Sequence, residues 1–90
     1  MYTRSALIQN ETGLHARPAS EFVACAGQYE SAIHIRRKDE EDLADAKSII
    51  MLLSLALEKG AEIEIRAEGE DENQAVEALV ALLNSKFGEN

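Results

Sequence analysis

The stretch Ala61-Glu62-Ile63-Glu64-Ile65-Arg66-Ala67 decides the architecture, because its apolar side chains fall on every second residue and charged ones fill the gaps. A strand sends alternate side chains to opposite faces, so Ile63, Ile65 and Ala67 share a core face while Glu62, Glu64 and Arg66 face water. Upstream, Ala32-Ile33-His34-Ile35-Arg36 repeats the pattern, with Ile33 and Ile35 on one face and His34 and Arg36 on the other. One-sided strands of this kind build an antiparallel sheet that is packed on one face and wet on the other.

The rest of the chain supplies what covers the packed face. Residues 2–8 have a β-friendly start, and the polar turn residues 9–13 follow them. Over residues 16–29, Ala19, Phe22, Val23, Ala26 and Tyr29 recur at helical spacing, with Pro18 in the first turn, where its missing N–H is harmless. Residues 38–42 make a charged turn and residues 42–46 a short, weakly signalled strand. Ser48 caps an apolar helix expected to run over residues 49–57 and to end at Lys59-Gly60. Asp71, with Gln74 three residues on, resembles a capping box, and Val76, Leu79, Val80, Leu83 and Phe87 carry the helical period onward. The order βαββαβα predicts an α+β two-layer, open-faced sandwich: a four-stranded antiparallel sheet covered on one face by three helices.

Ninety residues fit one domain, read here as spanning 1–90. Seventeen acidic against nine basic residues give a net charge of −8, and no Trp with two Phe and two Tyr leaves few platforms for bases, so nucleic-acid binding is disfavoured. One cysteine forms no internal disulfide, which fits a reducing compartment and predicts a cytoplasmic protein. The uncharged run 48–57 is about half the ~20 residues needed to span a bilayer, so membrane insertion is not expected. Cys25 reads as a small core residue and His34 as solvent-facing; neither has a partner at metal-ligand spacing. With no nucleotide loop and no paired carboxylates either, the chain reads as needing no metal or cofactor and as no self-sufficient enzyme.

The densest chemistry lies in Gly13-Leu14-His15-Ala16-Arg17-Pro18. A histidine just before a helix faces unpaired N–H groups and the positive end of the helix dipole, a setting that favours a bound anion such as phosphate. That positive end also favours a neutral, nucleophilic ring, and Arg17 can hold phosphate oxygens through charge-assisted hydrogen bonds. The plain alternative is a surface cap residue followed by a solvated arginine.

The run Gly13-Leu14-His15-Ala16-Arg17-Pro18-Ala19 resembles the signature of the HPr family, the histidine phosphocarriers of the phosphoenolpyruvate-dependent sugar phosphotransferase system. Lys47-Ser48-Ile49, Lys59-Gly60-Ala61-Glu62-Ile63 and the closing segment 70–87 keep the family's order, so the likeness covers essentially the whole chain. The resemblance implies that His15 accepts a phosphoryl group on ring Nδ1 from enzyme I and passes it to a histidine of an EIIA protein. It further implies that Arg17 anchors the group, that Thr12, Gly13 and Ala16 form its supporting loop, and that the carrier acts as a monomer.

Ser48 has a structural role as an N-cap that suffices to explain it. The resemblance matches it to a serine that an ATP-dependent HPr kinase/phosphorylase modifies in some relatives, where phosphorylation favours a catabolite regulator. Ile49, Ile50, Met51, Leu53 and Ser54 form a helix too apolar for one buried stripe, which suggests a partner-docking patch. Many sugar-system members have Met-Gly where this chain has Ile50-Met51, and the stretch 82–87 is similar to the nitrogen-system paralogue, NPr. Partner choice therefore stays open between the two systems. Two rival readings are a regulatory module of the same fold acting through Ser48 and the apolar helix, and an interaction domain in which His15 is only a cap.

Overall fold

A computed structural model describes residues 1–89. The elements are β1 (Tyr2–Leu7), α1 (Ala16–Ala26), β2 (Ala32–Arg37), β3 (Ala44–Asp45), α2 (Ile49–Ser54), β4 (Glu62–Glu68) and α3 (Glu72–Asn84), closed by a 3-10 turn at Lys86–Gly88. The strands form one antiparallel sheet in the order β1-β4-β2-β3. This is the expected two-layer α+β sandwich with four strands and three helices.

Register follows from the alternation. Ile65 on β4 lies between Arg4 and Ile35, and Ile63 lies between Ala6 and Arg37. Ile33, Ile35, Ile63, Ile65 and Ala67 are buried beneath Phe22 and Ala26 of α1, Leu52 of α2, and Val76, Leu79 and Leu83 of α3. Each large side chain so buried contributes about 1.5–3 kcal/mol. On the open face Glu64 pairs with both Arg36 and Arg66, and His34 stands opposite Arg66 and Asp45 in the neighbouring strands.

Several boundaries differ from the sequence expectation. Helix α1 stops at Ala26, and Gln28 and Tyr29 close a turn by donating to the carbonyls of Cys25 and Ala26. Helix α2 stops at Ser54 rather than at residue 57. Ala56 turns left-handed (φ +51°), and the Arg37 guanidinium donates to the exposed carbonyls of Leu55 and Ala56, a C-terminal cap supplied from the sheet. Leu57 is buried in the link that follows.

The capping box does not form. The Asp71 carboxylate instead accepts from the Glu30 N–H (2.9 Å) and from the Ser31 N–H and hydroxyl (3.0 and 2.5 Å), while Glu72 accepts from the Gly69 N–H (3.1 Å). The start of α3 is thereby tied to the α1–β2 loop. Phe87 is buried as its period implied, but it sits past α3, where Lys86 and Phe87 both have positive φ. Cys25 is half-buried against the core, and that burial pushes its thiol up from the ordinary value.

Candidate functional site

His15 is the N-cap of α1, in extended conformation (φ −130°, ψ 161°), and its side chain makes no capping bond. Its ring is 40% exposed because the residue before it is a deep anchor. Leu14 is fully buried, and its N–H donates to the Leu57 carbonyl at 2.9 Å. Gly13, at φ +71°, lies flat against the same segment. Asn10, also buried, donates to the Gly13 carbonyl at 2.9 Å and fixes the turn from inside. The loop is therefore held by backbone contacts while the imidazole is held out to solvent.

Ala16 begins the helix at φ +49°, a left-handed conformation that costs an L-residue about 1–3 kcal/mol. Among the described residues no acceptor takes the N–H of Ala16 or Arg17. Pro18 has no N–H to offer, so the start of α1 presents free donors next to His15, as an anion site requires.

Arg17 is occupied. Its guanidinium binds the Glu21 carboxylate one turn on and donates to the Phe87 carbonyl at 2.8 Å. Thr12 is occupied as well: its N–H (3.2 Å) and hydroxyl (2.8 Å) donate to the Glu89 carboxylate, which also takes a hydrogen bond from Asn10 at 3.3 Å. These bonds, the Thr12 hydroxyl first, hold the Glu89 carboxyl below its ordinary value. Of the expected supporting loop, Gly13 and Ala16 shape the backbone, and Thr12 binds the closing segment.

The open side of the ring meets Glu58, whose Oε1 lies 3.8 Å from His15 Nε2. Ser48 caps α2 by accepting the Met51 N–H at 3.2 Å. The outer face of α2 is apolar: Ile50 is 79% exposed, and Ile49, Met51 and Leu53 join it, with Ser54 alongside and only Leu52 buried. A surface hollow of about 500 Å³, lined by Arg37, Lys38, Asp39, Gly60, Ala61 and Glu62, includes no residue of the His15 loop. Among the described residues no His, Cys, Asp and Glu side chains gather to hold a metal, and no helix is long and apolar enough to cross a membrane.

Sequence reasoning reached His15, Arg17, Ser48 and the α2 face, and it missed Asn10, Glu58 and Glu89. Asn10 had a signal, an Asn three residues before a Gly in a polar turn. Glu58 and Glu89 had none, since each meets the loop only through tertiary folding.

The family described as "PTS HPr component phosphorylation site" matches residues 2–85. Phosphocarrier protein HPr of Pseudomonas aeruginosa is 43% identical over 82 residues, covering 91% of this chain and 90% of the relative. Phosphocarrier protein NPr of Klebsiella oxytoca is 41% identical over 83 residues, covering 92% of this chain and 91% of the relative. The crystal structure of HPr-C-His from Thermoanaerobacter tengcongensis superposes with a TM-score of 0.94 at 42% identity, covering 100% of this chain and 99% of that one. An HPr dimer structure from the same organism gives 0.78 at 43% identity, covering 99% and 100%.

Proposed function

We propose, from the premise that this chain belongs to the HPr family of phosphotransferase-system phosphocarriers, that His15 is its phosphoryl acceptor and that residues 1–90 act as one carrier unit. The observation that supports this most directly is the exposed His15 ring at the start of α1, beside the unpartnered N–H groups of Ala16 and Arg17. Phosphoryl transfer is chiefly positioning and charge stabilisation, which a ring nitrogen, oriented N–H donors and a cation supply. Carriage needs no enclosed pocket, because the cargo is held by a covalent bond.

In this reading the Nδ1 lone pair attacks phosphorus on phosphorylated enzyme I. The donor–phosphorus bond breaks, its electron pair stays with the donor, and a Nδ1–P bond forms. Delivery to an EIIA histidine runs the same exchange with His15 as the leaving group. Arg17 trades the Glu21 carboxylate for the phosphoryl oxygens, a swap that needs only side-chain rotation on an exposed turn. The apolar outer face of α2, Ile49, Ile50, Met51, Leu53 and Ser54, docks both partners.

Two finer assignments belong to the same proposal. Partners of either system belong to it, because the Ile50-Met51 pair departs from the sugar-system pattern while an HPr relative is 43% identical and an NPr relative 41%. Ser48 is a candidate for an HPr kinase, and a phosphate there would favour a catabolite regulator. Carriers of this kind exchange partners through brief encounters, for which a monomer is suited.

The test mixes the protein and its His15→Ala variant with phosphoenolpyruvate, magnesium and enzyme I and weighs the products intact. One acid-labile phosphoryl adduct on the wild type alone is expected. No adduct with enzyme I of either system, each active on a control carrier, overturns the proposal.

A further inference from the structure

His15 and Glu58 are brought together by backbone, not by chance of side-chain rotation. Leu14 donates to the Leu57 carbonyl at 2.9 Å, and Gly13 packs so tightly on the Leu57–Glu58 link that a Cβ there would lie 2.9 Å from Glu58 Cα. The residue after Leu14 and the residue after Leu57 thus face one another, with Glu58 Oε1 at 3.8 Å from His15 Nε2. Among the described residues the Glu58 carboxylate makes no hydrogen bond, and its neighbour Lys59 is turned to Glu11.

We infer that Glu58 is a positioning residue for phosphoryl transfer: its carboxylate keeps the single proton of the neutral His15 ring on Nε2 and so leaves the lone pair on Nδ1. This rests on the reading above that Nδ1 is the acceptor atom. A neutral imidazole donates from one nitrogen and is nucleophilic at the other, so whatever accepts from one selects the other for attack. An ionised carboxylate only accepts, so it selects the tautomer protonated on Nε2.

The separation is longer than a hydrogen bond. Contacts of this kind tighten when charge develops, and Glu58, 78% exposed, has room to follow. When Nδ1 attacks phosphorus the ring becomes a phosphoimidazolium with its proton still on Nε2, facing Glu58. No proton has to leave. On delivery the Nδ1–P bond breaks, the pair returns to Nδ1, and the ring is again the neutral Nε2–H tautomer. The carboxylate thus serves both half-reactions by its charge, which at 3.8 Å favours the Nε2–H tautomer before reaction and, drawn closer, stabilises the cationic ring in the transition state.

The test reads ring nitrogens rather than activity alone. Two-bond proton–nitrogen spectra of the 15N-labelled full chain, at a pH about two units above the ordinary histidine value, report which nitrogen carries the proton. His34, on the open sheet face, is the internal control. The wild type is expected to be mostly Nε2–H at His15, and Glu58→Ala to shift the ratio toward Nδ1–H by about two- to fivefold, the scale of an exposed charged pair. Glu58→Asp restores part of the shift. Raising salt on the wild type moves the ratio the same way by screening, which needs no variant to fold.

Phosphoryl acceptance from enzyme I should fall by less in Glu58→Ala, about twofold at most from the smaller reactive population, because a majority tautomer loses little when its ratio shifts. Equal tautomer ratios in wild type and Glu58→Ala, or a wild-type ring protonated on Nδ1, overturn the inference. A wild type that takes no phosphoryl group from active enzyme I overturns the acceptor reading instead, so the two failures are distinct.

Discussion

Gly13 approaches Leu57 so closely that a Cβ on Gly13 would stand 2.5 Å from the Leu57 carbonyl oxygen, the same oxygen that accepts the Leu14 N–H. That oxygen and the Glu58 Cα, 2.9 Å from the same Cβ, are backbone, and Gly13 is at φ +71°, so no side-chain adjustment can relieve the clash. Gly13→Ala is expected to lose about 1–3 kcal/mol in urea unfolding. Phosphoryl acceptance should fall by more than this loss accounts for under conditions where the variant is still folded, because the displaced loop carries His15.

The closing segment is a second clamp on that loop. Glu89 accepts from Thr12 and Asn10, and the Phe87 carbonyl between them and α3 accepts from Arg17. Glu89→Ala is expected to speed amide exchange at Thr12 and to free the Arg17 guanidinium from Phe87. Unchanged exchange at Thr12 would show that the buried Asn10 holds the loop alone.

The parts of the molecule that were legible in the sequence are those whose cause is local. Alternation at Ile63 and Ile65 gave the strand, the spacing of Val76, Leu79 and Leu83 gave the last helix, and His15 beside Pro18 marked a helix start. Where an element's end is set by a distant group the periodicity misled. The residues after Ser54 continue to look helical, yet Arg37 caps them off from the sheet, and Asp71 prefers the donors of Glu30 and Ser31 to its own helix. The same limit hid Glu58 and Glu89 from the candidate site, because their partners lie far along the chain.

Stability should fall in acid. Glu64 is held below the usual carboxylate range by hydrogen bonds from Arg66 and Arg36, Asp71 by the Ser31 hydroxyl and the Glu30 N–H, Glu72 by the Gly69 N–H, and Glu77 by the Tyr2 hydroxyl. A carboxylate depressed on folding stabilises fully above its unfolded value, near 4, and that contribution disappears as pH drops through the lower folded values. Thermal midpoints are expected to be flat from pH 7 to about 5 and to fall steeply below about 4. Glu64→Gln should lower the midpoint at neutral pH and flatten the acid slope.

Ser48 separates capping from modification. Its Oγ accepts the Met51 N–H, so Ser48→Ala should cost about 1 kcal/mol, and Ser48→Asp, whose carboxylate can cap equally well, should cost little. Both variants retain His15 and should still accept a phosphoryl group from enzyme I. Incubation with ATP and an HPr kinase should label wild-type serine only, and the absence of that label would remove Ser48 from the regulatory reading.

Ile50 distinguishes a docking face from a core. It is 79% exposed on a helix whose buried contact is Leu52, so Ile50→Lys removes little packing and should change unfolding free energy by no more than about 0.5 kcal/mol. An apolar side chain desolvated at the centre of an interface is worth far more, on the order of 1–2 kcal/mol or above when replaced. The variant should therefore keep its stability and its His15 ring spectrum and lose about tenfold in the apparent second-order rate of transfer from enzyme I, a factor equal to about 1.4 kcal/mol. Leu52→Ala should do the opposite, losing about 2–5 kcal/mol of stability and, where still folded, transferring at close to the wild-type rate. If Ile50→Lys transfers normally with enzyme I and with EIIA, the apolar face of α2 docks neither, and partner recognition must lie with the His15 loop alone.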